Sequence, residues 1–144
     1  RYSQKHSFKA ELKQADICSI PYPAEFFDCA IAVASLHHIR GYEEQKKALL
    51  ELKRVAKPDA EIFITVWNAH QPRFWFRKQD IFIPWRAGDA KVYRYYHLFT
   101  YGEIKKLVQS AGFHIVSIGP ESRYRGLIKS FSRNICLILK ASRN

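Results

Sequence analysis

Ala15–Ile39 reads ADICSIPYPAEFFDCAIAVASLHHI, and its second half decides the fold. The segment Phe27–Ala34, FDCAIAVA, is short and apolar on both faces. Strands of that kind sit in the middle of parallel sheets, covered by helices on either side. Pro21 and Pro23 forbid regular structure before it. Ser35–Arg40, SLHHIR, reads as the loop at its C-terminal end.

Upstream, Phe8–Ile17 alternates loosely, with Phe8, Ala10, Leu12, Ala15 and Ile17 apolar and Lys9, Glu11 and Lys13 between them. This is the pattern of an edge strand, preceded by a polar stretch, Tyr2–Ser7, that reads as the tail of a helix. Downstream, Gly41–Lys57 reads as a helix. Glu43 and Glu44 lie in its first turn, where the helix dipole favours them. Ala48, Leu49, Leu52, Val55 and Ala56 form one apolar face, and Pro58 ends it. Glu61–Trp67 is a further strand. Thr100–Gly112 is the clearest helix: Thr100 caps it, Glu103 completes a capping box, and Gly112 suits the left-handed residue at its end. His114–Gly119 and Asn134–Lys140 read as two last strands, joined by a basic, Ser-rich link.

This order predicts an α/β sheet with helices on both faces, in one domain over residues 1–144 with an insertion at 68–99. Ligands bind such sheets outside the C-terminal ends of the strands. That rule brings together Asp16–Ile17, Ala34–His38 and Trp67–Asn68, which are distant in sequence.

The insertion holds the most unusual composition. Gln79–Phe99, QDIFIPWRAGDAKVYRYYHLF, sets Trp85, Tyr93, Tyr95, Tyr96 and Phe99 among Arg86, Lys91, Arg94 and His97. Flat aromatic faces beside fixed cations suit a ligand that is planar and anionic, such as a nucleotide. An amphipathic hairpin whose aromatics fill a core has the same composition, and the residues alone leave both readings open.

The formal net charge of +11 favours a polyanionic partner over a neutral one, although a basic proteome would produce the same surplus. No apolar run approaches the ~20 residues of a membrane span. Cys18, Cys29 and Cys136 are odd in number and far apart, against a disulfide framework or zinc site. They read as small apolar residues in a reducing, cytoplasmic setting. The chain has no methionine, so Arg1 is read as lying inside a longer chain.

Ala15–Ile39 resembles the middle of the class I S-adenosylmethionine-dependent methyltransferases, and the resemblance extends over nearly the whole chain. It implies a Rossmann-like sheet, here partial. The family's Gly-rich loop, first strand and acidic ribose-binding residue are expected to precede Arg1. It implies that Asp16 accepts from the adenine amino group and that the Ile17 backbone meets the adenine ring. Ala34 and Ser35 then lie near the methionine half of S-adenosylmethionine, and His37 and His38 face the methyl group and substrate. Gln79–Trp85 and Arg94–Phe99 are similar to the insertion of the tRNA wobble-uridine methyltransferases, which esterify 5-carboxymethyluridine. Trp67 and the run Arg133-Asn134-Ile135 are also similar to that subfamily, which marks Trp67 and Asn134 as substrate-side positions. The resemblance implies the tRNA anticodon loop as substrate. It also implies a small zinc-containing activator subunit that pairs a strand with the Phe8–Ala15 edge.

Methyl transfer to a carboxylate needs positioning and exclusion of water more than a strong base, since the carboxylate is already ionised at neutral pH. A planar guanidinium suits the clamp, with Arg94 first and Arg86 second. His97 is a candidate donor to the substrate. Trp85 and Tyr96 are candidate platforms for the flipped base or its neighbours, with Tyr93 and Tyr95 turned to the core. Arg73, Arg77, Lys78, Lys91, Arg123, Arg125, Lys129 and Arg133 are candidates to track phosphates. Adjacent histidines diverge and lack a third ligand, so no metal is expected at His37 and His38. Two other readings stay open. One is a small-molecule O- or N-methyltransferase of the same fold. The other is a non-catalytic RNA-binding or scaffold domain.

Overall fold

Strand β1 (Phe27–Val33) is followed by a 3₁₀ turn at Leu36–His38, helix α1 (Tyr42–Val55) and strand β2 (Ala56–Trp67). A second 3₁₀ turn (Pro72–Phe74) leads into β3 (Asp80–Ala87) and β4 (Ala90–His97). Helix α2 (Tyr101–Ser110), β5 (Phe113–Pro120) and β6 (Asn134–Ala141) complete the chain. The computed structural model describes residues 10–88, 90–121, 128 and 131–141. Residues 1–9 and, among the candidate phosphate contacts, Arg123, Arg125 and Lys129 lie outside the described residues.

Four strands form one sheet in the order β1-β2-β6-β5. β1 and β2 run parallel, with Ala30 beside Ile62 and Ala32 beside Ile64. β6 is antiparallel to both of its neighbours. Alternation along these strands sends Ile62, Ile64, Val66, Ile135, Leu137 and Leu139 to one face, where all are fully buried. Ala48, Leu49 and Leu52 of α1 and Ile104, Leu107 and Val108 of α2 complete the same core cluster. The helical spacings legible in the sequence therefore do pack where they point. Each such Leu or Ile contributes about 1.5–3 kcal/mol by leaving water. The helices lie side by side, with the Tyr42 hydroxyl donating to Ser110 Oγ at 2.9 Å.

Both described helices cover this one face. The other face carries Ile31, Phe63 and Ile138, and Ile31 is 72% exposed. β1, expected at the centre of the sheet, pairs only with β2 among the described residues and so stands at an edge. Its two-sided apolar pattern is real, but only Ala32 of the strand is buried.

The expected edge strand at Phe8–Ile17 is corrected in its described part. Ala10–Ala15 forms no strand, and Asp16 and Ser19 make an isolated bridge closing a turn. Six of the eight residues from Ala10 to Ile17 are polar or alanine, so little apolar surface holds the segment to the body. Further on, the proline segment is tied down by charge. Glu51 accepts from the Ile20 N–H at 3.0 Å, while Arg54 donates to the carbonyls of Tyr22 and Ile20 at 2.9 Å each. Arg54 also grips Glu51 at 2.8 Å and, with the Ile20 bond, holds the Glu51 carboxyl down to about 2.

β3 and β4 form a separate two-stranded hairpin. A lone hairpin is marginal in water, so its attachment matters.

Candidate functional site

The strand ends meet the hairpin through aromatic rings. β2 ends on Trp67, whose ring stacks on Tyr96 of β4 at 4.4 Å between centroids and 15° between planes. His37 joins the pile, 5.3 Å from both Trp67 and Tyr96. His38 caps Tyr96 at 4.5 Å. Each such pair is worth about 0.5–1.5 kcal/mol beyond the area it buries, enough together to anchor a marginal hairpin. The loop carrying the histidines turns at Ala34, whose φ of 53° is left-handed and unusual for a residue with a Cβ. Its N–H is held by the carbonyl and hydroxyl of Thr65 on β2.

The two histidines differ in role. His37 is 1% exposed, and its Nδ1 accepts the Trp67 N–H at 3.3 Å. Burial, and then the neighbouring His38, lower its pKa to about 4. It is therefore neutral near pH 7 and sits within the stack, not out toward a substrate. His38 is exposed and its Nδ1 lies 3.0 Å from the Tyr95 carbonyl. A carbonyl only accepts, so Nδ1 carries the proton and a neutral His38 keeps the Nε2 lone pair available.

Opposed residues of an antiparallel pair share a face. The register places Ile81, Ile83, Trp85, Val92, Arg94 and Tyr96 on one face of the hairpin and Asp80, Phe82, Arg86, Lys91, Tyr93, Tyr95 and His97 on the other. The first face is anchored at its base by Tyr96, which is buried, and runs outward to Arg94 and Trp85, which are exposed. The Arg94 guanidinium lies 4.2 Å from the centre of the Trp85 ring. Arg86 is on the opposite face, so the two candidate clamps are separated. The expected alternation of tyrosines is also changed: Tyr93 is 61% exposed and Tyr96 is 6% exposed. Long-range stacking on Trp67 sets that choice.

The second face is held to α2 through His97. Its Nδ1 lies 2.7 Å from Asp80 and its Nε2 lies 2.9 Å from Glu103. Burial alone would lower the His97 pKa, but the bonds to Glu103 and Asp80 outweigh it and raise it. Both ring nitrogens are thus committed to carboxylates, which makes His97 a fastener of the hairpin. Tyr95 donates its hydroxyl to Asp80 at 2.6 Å, and Gln79 donates to Glu103.

A buried polar knot, not foreseen from the sequence, fixes the loop after β2. Asn68 is fully buried; its side chain donates to the Ser132 carbonyl at 2.9 Å and accepts from the His70 N–H at 3.0 Å. Gln71 donates to the carbonyls of Asn68 and Arg133 at 3.0 and 2.8 Å. Asn134 lies opposite Trp67 in the β2–β6 register, and its N–H donates to Glu121 at 2.8 Å. Only the position of Asn68 directly after a strand hinted at this role.

On the side expected for cofactor, Asp16 is exposed. Its Oδ1 accepts the Cys18 N–H at 2.8 Å. Ile17 and Cys18 pack on the core edge. Ser35 donates to the Val33 carbonyl at 3.1 Å. An exposed carboxylate has the chemistry of an acceptor for an adenine amino group, and the Ala34 turn offers backbone at a strand end.

Residues 1–64 match the methyltransferase domain family. The tRNA (carboxymethyluridine(34)-5-O)-methyltransferase of Arabidopsis thaliana is 48% identical over 61 residues, covering 42% of this chain and 15% of that protein. The protein of the same name from Schizosaccharomyces pombe is 28% identical over 130 residues, covering 73% of this chain and 57% of its own length. The chain thus spans less than two thirds of either relative. Among solved structures, an S-adenosylmethionine-dependent methyltransferase from Clostridium acetobutylicum superposes with a TM-score of 0.76 at 12% identity, covering 99% of this chain and 69% of its own. One from Methanosarcina mazei gives 0.70 at 20% identity, covering 92% and 67%.

Proposed function

We propose that this chain, which has the class I methyltransferase fold and a methyltransferase-domain sequence over residues 1–64, serves an enzyme that methylates the carboxylate of 5-carboxymethyluridine at the tRNA wobble position. S-adenosylmethionine supplies the methyl group as an electrophilic sulfonium carbon when bound. Asp16 and Ile17 would hold its adenine, and Ala34, Ser35 and His38 would lie along its methionine half.

The observation that carries this reading is the first face of the hairpin. It rises from the strand ends at Trp67 and Tyr96 and presents Arg94 over the Trp85 ring. Tyr96 and Arg94 are two residues apart, so about 7 Å separates them along the strand, the span of a base and a short side chain. Trp85 offers its open side to a base, and the Arg94 fork offers paired donors to a carboxylate. The buried stack beneath keeps both in register. His97 and Asn134, each tied into its own network, support the wall from behind, and Arg86 serves the outer face. The His38 ring lies beside Tyr96 at the base of the same face.

Nucleoside mass spectrometry of tRNA treated with the full-length protein tests this. Carboxymethyluridine should convert to its methyl ester. Methylation confined to other nucleosides or to free metabolites would overturn the substrate. Arg94→Ala should lower turnover at least tenfold while leaving S-adenosylmethionine affinity within twofold. Equal loss of cofactor binding would assign Arg94 a structural role.

A small zinc-containing activator remains the proposed protein partner for the N-terminal segment. Ala10–Ala15 is exposed and in no strand, so an incoming strand would order it on binding. Protection of these backbone amides from exchange only when the activator is present is the expected result.

A further inference from the structure

Two arginines outside the hairpin share one foundation. Arg73 lies in the second 3₁₀ turn, its guanidinium carbon 4.7 Å from the Trp67 ring centre and 4.4 Å from that of Phe74. A guanidinium laid on rings keeps its donors at the edge, free for an in-plane acceptor. Arg133 immediately precedes β6. Its carbonyl accepts from Asn68 N–H at 3.1 Å and from Gln71 Nε2 at 2.8 Å. Gln71 is two residues before Arg73, so one buried knot of Asn68, Gln71 and Ser132 fixes both backbones. Neither guanidinium has a carboxylate partner among the described residues. The acid nearest in the chain's hydrogen bonding, Glu121, gives its two oxygens to the backbone N–H groups of Arg133 and Asn134 at 3.3 and 2.8 Å. Arg133 and, through Gln71, the turn that carries Arg73 are thus tied to one another at 2.8 Å, and burial followed by repulsion from Arg133 lowers the Arg73 pKa. Two cationic side chains flanking one knot, with no ion pair to a carboxylate among the described residues, leave guanidinium donors available to an anion.

We propose that Arg73 and Arg133 form a fork for one backbone phosphate of the RNA, beside the Trp67–Tyr96 stack. The inference rests on the tRNA reading above and deepens it. The hairpin wall would take the base, and the fork would fix the strand from which it is turned out. The Trp67 ring is shared, one partner being Tyr96 and the other Arg73, so the two subsites are mechanically joined.

The test uses the full-length protein and an unmodified anticodon stem–loop RNA, followed by fluorescence anisotropy across a salt series. Arg73→Met and Arg133→Met keep an unbranched stem over the rings but remove the charge. Each should weaken RNA binding about tenfold and reduce the slope of log affinity against log salt by about one. The double variant should lose less than the product of the two, because both serve one phosphate. Arg73→Lys should recover part of the affinity. Lys106→Met, an exposed change on α2, should leave the slope unaltered. An unchanged slope in both methionine variants overturns the fork, as does a fall in melting temperature that matches the loss of binding. The binding assay is independent of methyl transfer. Wild-type protein that binds the stem–loop yet makes no methyl ester would sink the proposed reaction and leave the fork standing. Methylation with unaltered RNA affinity in the fork variants would do the reverse.

Discussion

At the level of single residues, His97 shows how a group read as catalytic is recruited for attachment. Its motif position was legible, but its partners Asp80 and Glu103 lie 17 and 6 residues away and meet it only through the hairpin register and the start of α2. The raised His97 pKa means that its contribution to stability is fully present below the unfolded value near ~6.5 and is lost as pH rises through the folded one. Glu103 and Asp80 have lowered values, so their contribution is present above the unfolded carboxylate range and lost as pH falls. The fastener is therefore strongest between about pH 4.5 and 6.5. Wild-type protein should exceed His97→Gln in melting temperature at pH 6, and the gap should narrow by pH 9. A gap constant over that range would show that the imidazolium charge does not act. His37 teaches the complementary lesson. Adjacent in sequence to His38, it is neutral and buried, because the turn at Ala34 sends one ring inward and leaves the other outside.

Among the elements, legibility followed locality. The capping box of α2 was written in Thr100 and Glu103, and both of its bonds exist: the Glu103 N–H donates to Thr100 Oγ1 at 3.1 Å and the Thr100 N–H to Glu103 at 3.4 Å. The apolar stripes of α1 and α2 were equally plain. The hairpin was recognisable as an aromatic-basic unit, yet which tyrosine turns inward was not, since Trp67 on another strand decides it. The Asn68 knot escaped for the same reason: its partners come from residues 132 and 133. β1 carried the pattern of a central strand, and pattern alone does not say what lies beside it. The cap offers a clean measurement. Thr100→Ala should cost about 1 kcal/mol in denaturant unfolding. Glu103→Gln should cost more, because Glu103 serves the cap and the His97 fastener together. Equal costs for the two would show that the fastener contributes nothing measurable.

Across the whole molecule, the net charge of +11 separates the candidate functions more sharply than the fold does. The class I fold is compatible with tRNA, small-molecule and non-catalytic readings alike. Charge acts on them differently. Each phosphate neutralised releases counterions, with a slope of about −0.7 to −0.9 in log affinity per log salt. Arg73 with Arg133, Arg94, and the exposed Arg77 and Lys78 lie on the segments that carry the site. If the Arg73–Arg133 fork, Arg77 and Lys78 each engage one phosphate, the KM for tRNA should rise roughly 20- to 40-fold as monovalent salt goes from about 50 to 200 mM. The affinity for S-adenosylmethionine, whose charges are local and compensated, should move little over the same range. A small-molecule methyltransferase would show no such divergence between substrate and cofactor. A scaffold domain would show the salt-dependent binding of RNA without any transferred methyl. One titration with both ligands, read beside one turnover measurement, therefore distinguishes three functions that a shared sheet leaves together.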